Sequence, residues 1–179
     1  MRQTQKLLTI LAVLSSAAFY GHNAHAHTPA KINDAQIAHI AYTAGVIDIK
    51  TANLALEKTQ NAEVRDFAQS MVKDHTTVND QALALVKKLN VTPEDNDTSK
   101  GLVKQADAER AKLAKLDGAA FDRAYATNEV AYHKTVNGAL ENTLIPSASN
   151  PELKDLLTTG LKIFKGHEEH AEHVVADLK

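Results

Sequence analysis

Met71-Val72-Lys73-Asp74-His75 sets a histidine within the apolar face of a helix. It lies in a run whose apolar positions are Val64, Phe67, Ala68, Met71, Val78, Ala82, Leu85, Val86 and Leu89. Wound at about 100° per residue, these form one continuous helical stripe, with His75 near its centre and Asp74 at its edge. An imidazole in the middle of a core face needs a partner, since leaving a buried polar group unpaired costs roughly 1–3 kcal/mol.

Upstream, Asn61 is placed to cap this helix, predicted over residues 62–89. A preceding helix is predicted over residues 34–60, capped by Asp34, with Ile37, Ile40, Ala44, Ile47, Thr51, Leu54 and Ala55 facing inward and Asp48 inside that arc. The connection is so short that the two helices must lie antiparallel. Counted outward from the turn, Asp48 and His75 stand at nearly the same level.

Downstream, Pro93 and the polar run Glu94-Asp95-Asn96-Asp97 mark a loop over residues 90–98. A short, heavily charged helix follows over residues 99–116, suited to covering the bundle. A long helix over residues 119–144 turns Phe121, Tyr125, Tyr132, Val136, Ala139, Leu140 and Thr143 inward, with Glu129 and His133 one turn apart in the same arc. Ile145-Pro146 is expected to end it. Asn150-Pro151-Glu152 combines a cap, a first-turn proline and a first-turn acid, and so starts the last helix, residues 151–178. His167 lies on its apolar face, flanked by Glu168 and His170, while His173 points away; Glu129 and His167 come out level. Two hairpins joined by a long connection predict an all-α, ferritin-like four-helix bundle over residues 34–178, with a short extra helix in the crossover.

Composition agrees with one helical domain. The chain has 179 residues, 44% hydrophobic and 23% charged, with only 7 Gly and 4 Pro to punctuate it. Residues 1–26 read as a signal peptide: Arg2 and Lys6, an apolar run from Leu7 to Tyr20, then Ala24-His25-Ala26 as the cleavage signal. That run is shorter than the roughly 20 residues a membrane-spanning helix needs. Cleavage after Ala26 would leave a periplasmic chain with a flexible lead over residues 27–33 and no transmembrane span. Removing Arg2 and Lys6 from the 20 basic residues leaves 18 against 22 acidic ones, which argues against nucleic acid as a partner. The absence of cysteine excludes disulfides, thiol nucleophiles and thiolate metal sites.

The chemistry-bearing residues are Asp48, Asp74, His75, Glu129, His133, His167 and Glu168, an inward carboxylate or imidazole from each long helix near mid-height. Bundles build metal sites in this way, and mixed carboxylate and imidazole donors suit a divalent Fe, Mn or Zn ion. The alternative is a non-enzymatic structural or interaction protein. In it the histidines would bond to Asp48, Glu129 and the hydroxyls of Tyr125 and Tyr132 in a buried network. No Glu-x-x-His occurs, so an ordinary ferritin di-iron site is not indicated. A mature His27 would offer an amine and imidazole to copper, a weak signal. The members of the Gly166–His173 run point to several faces. No nucleophilic triad, phosphate loop or dinucleotide fingerprint is present, so no reaction, substrate or protein partner follows.

Met71-x-x-Asp74-His75, then Gly118-Ala119-Ala120-Phe121-Asp122-Arg123-Ala124-Tyr125, His133 and His167 resemble the bacterial domain-of-unknown-function family four-one-four-two. The resemblance runs from about Asp34 to Leu178. It implies a ferritin-like bundle in an exported protein, periplasmic or peripheral to the outer membrane, and implies no established activity. The family usually has Glu where this chain has Asp48, and Leu-Pro where it has Leu161-Lys162.

Overall fold

The computed structural model describes residues 32–178; the leader, its cleavage position and His27 lie outside the described residues. Helix α1 spans Asp34–Lys58, α2 Ala62–Lys88, α3 Asp97–Leu113 and α4 Gly118–Ala139. Helix α4 runs on through a π turn, Leu140–Leu144, into a last turn, α5, Ile145–Ser147, and α6 spans Pro151–Asp177. Among the described residues there is no strand, and no helix is long and apolar enough to cross a membrane. The architecture is the all-α, ferritin-like four-helix bundle read from the sequence, with α3 as the crossover helix lying mainly against α1.

Asparagine starts four of the helices. The side chains of Asn33, Asn61, Asn96 and Asn150 each accept from the backbone amide three residues on, satisfying one of the free donors of a first turn. The cap of α1 is therefore Asn33 and not Asp34, because Gln36 returns a bond to the Asn33 amide and closes a capping box. The Asp34 carboxylate instead accepts from the amides of Ser149 and Asn150, both at 2.8 Å, and ties the start of α1 to the cap of α6. Asp117 makes no cap bond and pairs with Lys58 at 2.7 Å. Gly118, which opens α4, sits at φ +56°, where a Cβ would clash with the backbone.

The core consists of two apolar clusters with a polar layer between them. One is filled by Phe67, Met71, Phe121, Tyr125, Ala171 and Val174. The other is built of aliphatics, including Ile37, Ile40, Leu140, Leu144, Leu153 and Leu157, with Phe164 at its inner edge. The inward face of α4 differs from the one expected. Ala139 and Thr143 are exposed, Tyr132 and Val136 half-buried, and Asn137 and Leu144 buried. Glu129, His133 and Asn137 occupy the centre of that face at one-turn spacing, and the wider π turn brings Leu144 inward after Leu140. Nor does α4 stop at Ile145-Pro146: the Ile145 amide bonds to the Leu140 carbonyl, and Pro146, which has no N–H to place, sits in the final turn.

Candidate metal centre

The polar layer draws on every long helix. Asp48 comes from α1, His75 from α2, Glu129 and His133 from α4, and His167 from α6; all five are buried. Each occupies a position the helical period turns inward, so the backbone that forms the core also delivers these groups to it.

Three imidazoles form a nearly equilateral triangle, with ring centroids 5.7 Å apart for His75 and His133, 5.3 Å for His75 and His167, and 5.4 Å for His133 and His167. The Phe164 ring stacks on His75 at 4.4 Å and closes one side. Asp48 Oδ2 approaches His75 Nε2 at 3.4 Å and His133 Nε2 at 3.6 Å. One donor atom each from His75, His133 and His167 lies within 4.8 Å of the others, and the same holds for Asp48, Glu129 and His133. His133 belongs to both groups.

Two histidines are oriented from outside the layer. His133 Nδ1 stands 3.0 Å from the Glu129 carbonyl oxygen, an acceptor only, so Nδ1–H donates and Nε2 keeps its lone pair. His167 Nε2–H donates to Asp74 Oδ2 at 3.1 Å, leaving Nδ1 free. A carboxylate or carbonyl behind an imidazole is how metal-binding histidines are commonly held in one tautomer. Asp74 thus reaches the layer through His167, its own side chain 36% exposed. Glu168 stays outside: its carboxylate accepts from Asn137 Nδ2 at 2.8 Å.

The protein leaves most of this layer without hydrogen bonds. Both Asp48 oxygens, both His75 nitrogens, His133 Nε2, His167 Nδ1 and Glu129 Oε2 are buried with no bond to a described residue. The tyrosines do not supply them. Tyr132 donates its hydroxyl to the Ala44 carbonyl at 2.8 Å, and the Tyr125 hydroxyl has no partner.

Burial controls the protonation of the layer. Desolvation raises Asp48 from 3.8 to about 8. Glu129 is held well above the carboxylate range by burial and then by the Asp48 charge, against the opposing bond from Asn128. His133 is lowered to about 4 by burial, with its bond to the Glu129 carbonyl acting the other way. His75 is lowered by burial and by the His133 and His167 charges, and His167 by burial against the pull of Asp74. Burial thus disfavours the charged form of each of these groups.

Asn79 and Asn137 are buried members of these faces that the reading of titratable residues passed over. Asn137 donates to the Phe164 carbonyl at 3.3 Å as well as to Glu168, bridging α4 to α6. Its signal was available in the spacing: Glu129, His133 and Asn137 follow one another at four-residue steps.

Among solved structures, the chain is similar to the crystal structure of a DUF305 protein from Streptomyces coelicolor, at 13% identity and a TM-score of 0.69, over 80% of this chain and 91% of that one. That likeness speaks for the fold. No curated protein matches the chain. The model of the family described as Domain of unknown function (DUF4142) matches residues 21–174, which covers all five buried members of the polar layer, and the chain belongs to that family.

Proposed function

We propose that this bundle binds a divalent transition metal in its core. The ion would sit on His75, His133 Nε2, His167 Nδ1 and Asp48, with Glu129 beside it and Asp74 positioning His167. One observation carries the reading: buried nitrogen and oxygen atoms without protein partners form two sets at ligand spacing, His75 with His133 and His167, and Asp48 with Glu129 and His133, joined at His133. Donors about 2.0–2.1 Å from a tetrahedral ion lie roughly 3.3–3.4 Å from one another, close to the separations of Asp48 Oδ2 from the two imidazoles. The ionised Asp48 and Glu129 would balance a divalent charge, and three neutral imidazoles are in the form that binds metal. Nitrogen and oxygen donors without thiolate suit Fe, Mn or Zn. Binding alone implies no turnover, and the assignment is to a binding protein.

Metal analysis of protein purified without a histidine tag tests this. One ion per chain is expected, with a sharp loss of affinity in His75→Ala. Substoichiometric metal, together with no thermal shift from Fe, Mn, Zn or Cu, would leave the buried-network reading in its place. In that case His75→Ala would chiefly lower stability, by roughly 1–3 kcal/mol.

Export to the periplasm rests on the leader and its cleavage signal. N-terminal sequencing of the exported protein should begin at His27; an intact Met1 would refute it.

A further inference from the structure

The two apolar clusters are not filled alike. On the Phe67 and Tyr125 side of the polar layer the core is packed with aromatic rings. On the other side a cavity of about 330 Å³ runs between the helices, at the lower end of the range of small-ligand pockets. Small residues line it: Ala41 on α1, Ala82 on α2 and Gly160 on α6, with Gly45 of α1 beside them. Gly45 has no room to be larger, since a Cβ there would stand 2.3 Å from Asn79 Oδ1. Interiors are otherwise close-packed, so a hollow of this size calls for an occupant.

Its lining states what that occupant must be. No Asp, Glu, Lys or Arg lines it, and the greater part is Ala, Val, Leu and Ile. The polar end is formed by His75 and His133, each at most 2% exposed and each with a buried nitrogen that has no protein partner. Tyr132 also lines it, but its hydroxyl is already committed to Ala44. The cavity is thus uncharged and mostly apolar, with Asn79, Thr98, Thr135 and Thr143 among its lining, and it meets the candidate metal donors at His75 and His133.

We infer that the cavity is the binding site of an aliphatic carboxylate of medium chain length, its chain along the Ala41, Ala82 and Gly160 walls and its carboxylate on the metal beside His75 and His133. This rests on the metal reading above and names the ligand class of the same site. With the ligand bound, Glu129 keeps its proton, so the ligand's carboxylate joins Asp48 in balancing the divalent charge as a fifth donor, and the apolar walls stabilise the chain by removing it from water. Chain length is limited by the volume of about 330 Å³ between the helices, where Leu140 and Leu157 of the aliphatic cluster are part of the lining.

Calorimetric titration of the metal-loaded full-length protein with straight-chain carboxylates from hexanoate to tetradecanoate tests this, with decanol as a probe lacking the charged head. One-site binding with an optimum chain length is expected, and decanoate should bind more tightly than decanol. Ala82→Phe fills the cavity away from the metal donors. It should weaken decanoate at least about tenfold, with metal content unchanged. Should Ala82→Phe fail to fold, the chain-length series on the unaltered protein still decides, since a cavity of about 330 Å³ takes up a limited length of chain. Metal-loaded protein that binds no member of the series, or binds all of them alike, overturns the inference and leaves the metal reading standing. Protein that takes up no metal, yet binds decanol and decanoate equally, overturns the metal reading and this inference with it.

Discussion

Asp74 and Glu168 show how much one step around a helix decides. Both are acids next to an inward histidine in the chain, yet only Asp74 reaches a ring nitrogen of the polar layer, at His167 Nε2, 3.1 Å away. Its bond occupies Nε2 of His167 and leaves Nδ1 free, and partners of that kind typically contribute a factor of 10–100 in affinity where the histidine binds a metal. Asp74→Asn should therefore weaken binding by about 10–100-fold without abolishing it, whereas Glu168→Gln should leave it nearly unchanged. Equal effects in a metal titration of the two variants would remove the distinction. Adjacency in the chain could not separate the two acids, because a residue at the edge of a stripe can turn its side chain either way. Asp74 turns to His167 on α6, and Glu168 turns to Asn137 on α4.

At the scale of the element, the pairing of α1 with α2 depends on a glycine inside a helix. Gly45 is buried, and the Asn79 amide fills the space its Cβ would take. An alanine there would gain about 1 kcal/mol of helix propensity but must displace a buried side chain, and overpacking costs typically 1–3 kcal/mol. Gly45→Ala should lower stability, and adding Asn79→Ala should restore it to the wild-type level or above. A denaturant double-mutant cycle reads this directly; additive effects would show that the two positions do not meet. Helix boundaries were legible to within a few residues because caps and breakers are local. The inward face of α4 was legible in part: Phe121, Tyr125, Glu129, His133 and Leu140 are buried as expected, whereas Asn137 and Leu144 are buried where Val136, Ala139 and Thr143 were expected. Periodicity finds a face by its hydrophobicity, and it misplaces one whose middle is polar.

For the whole molecule, the polar layer sets how stability depends on pH. Asp48 has a folded value of about 8 against an ordinary 3.8, so its contribution to the metal-free protein is fully present below 3.8 and is lost as pH rises towards 8. Glu129, raised well above the carboxylate range, acts in the same direction. His133, lowered from 6.5 to about 4, acts in the opposite one: its contribution is present above 6.5 and is lost as pH falls towards 4. The terms oppose one another below 6.5, and above it the acids act alone. The melting temperature of metal-free protein should fall between pH 6.5 and 8, and Asp48→Asn should flatten that fall. Added metal displaces the acid protons and should raise the melting temperature most at the upper end of the window. A metal-free melting temperature that is flat or rising over this range would count against ionisation of the buried acids.

The helices, their order, the hairpin connectivity and the level at which acids and imidazoles face inward were all legible along the chain. Those properties follow from period, caps and short turns, all local along the chain. The side-chain distances add which of the seven candidates are buried together, in two groups that share His133, and which nitrogen of His133 and of His167 is left without a partner. The tertiary structure alone showed that one half of the core is packed with aromatic rings while the other holds a cavity. These depend on distances between side chains far apart in sequence, set by how four helices rotate and approach one another, and no spacing along a single helix encodes them.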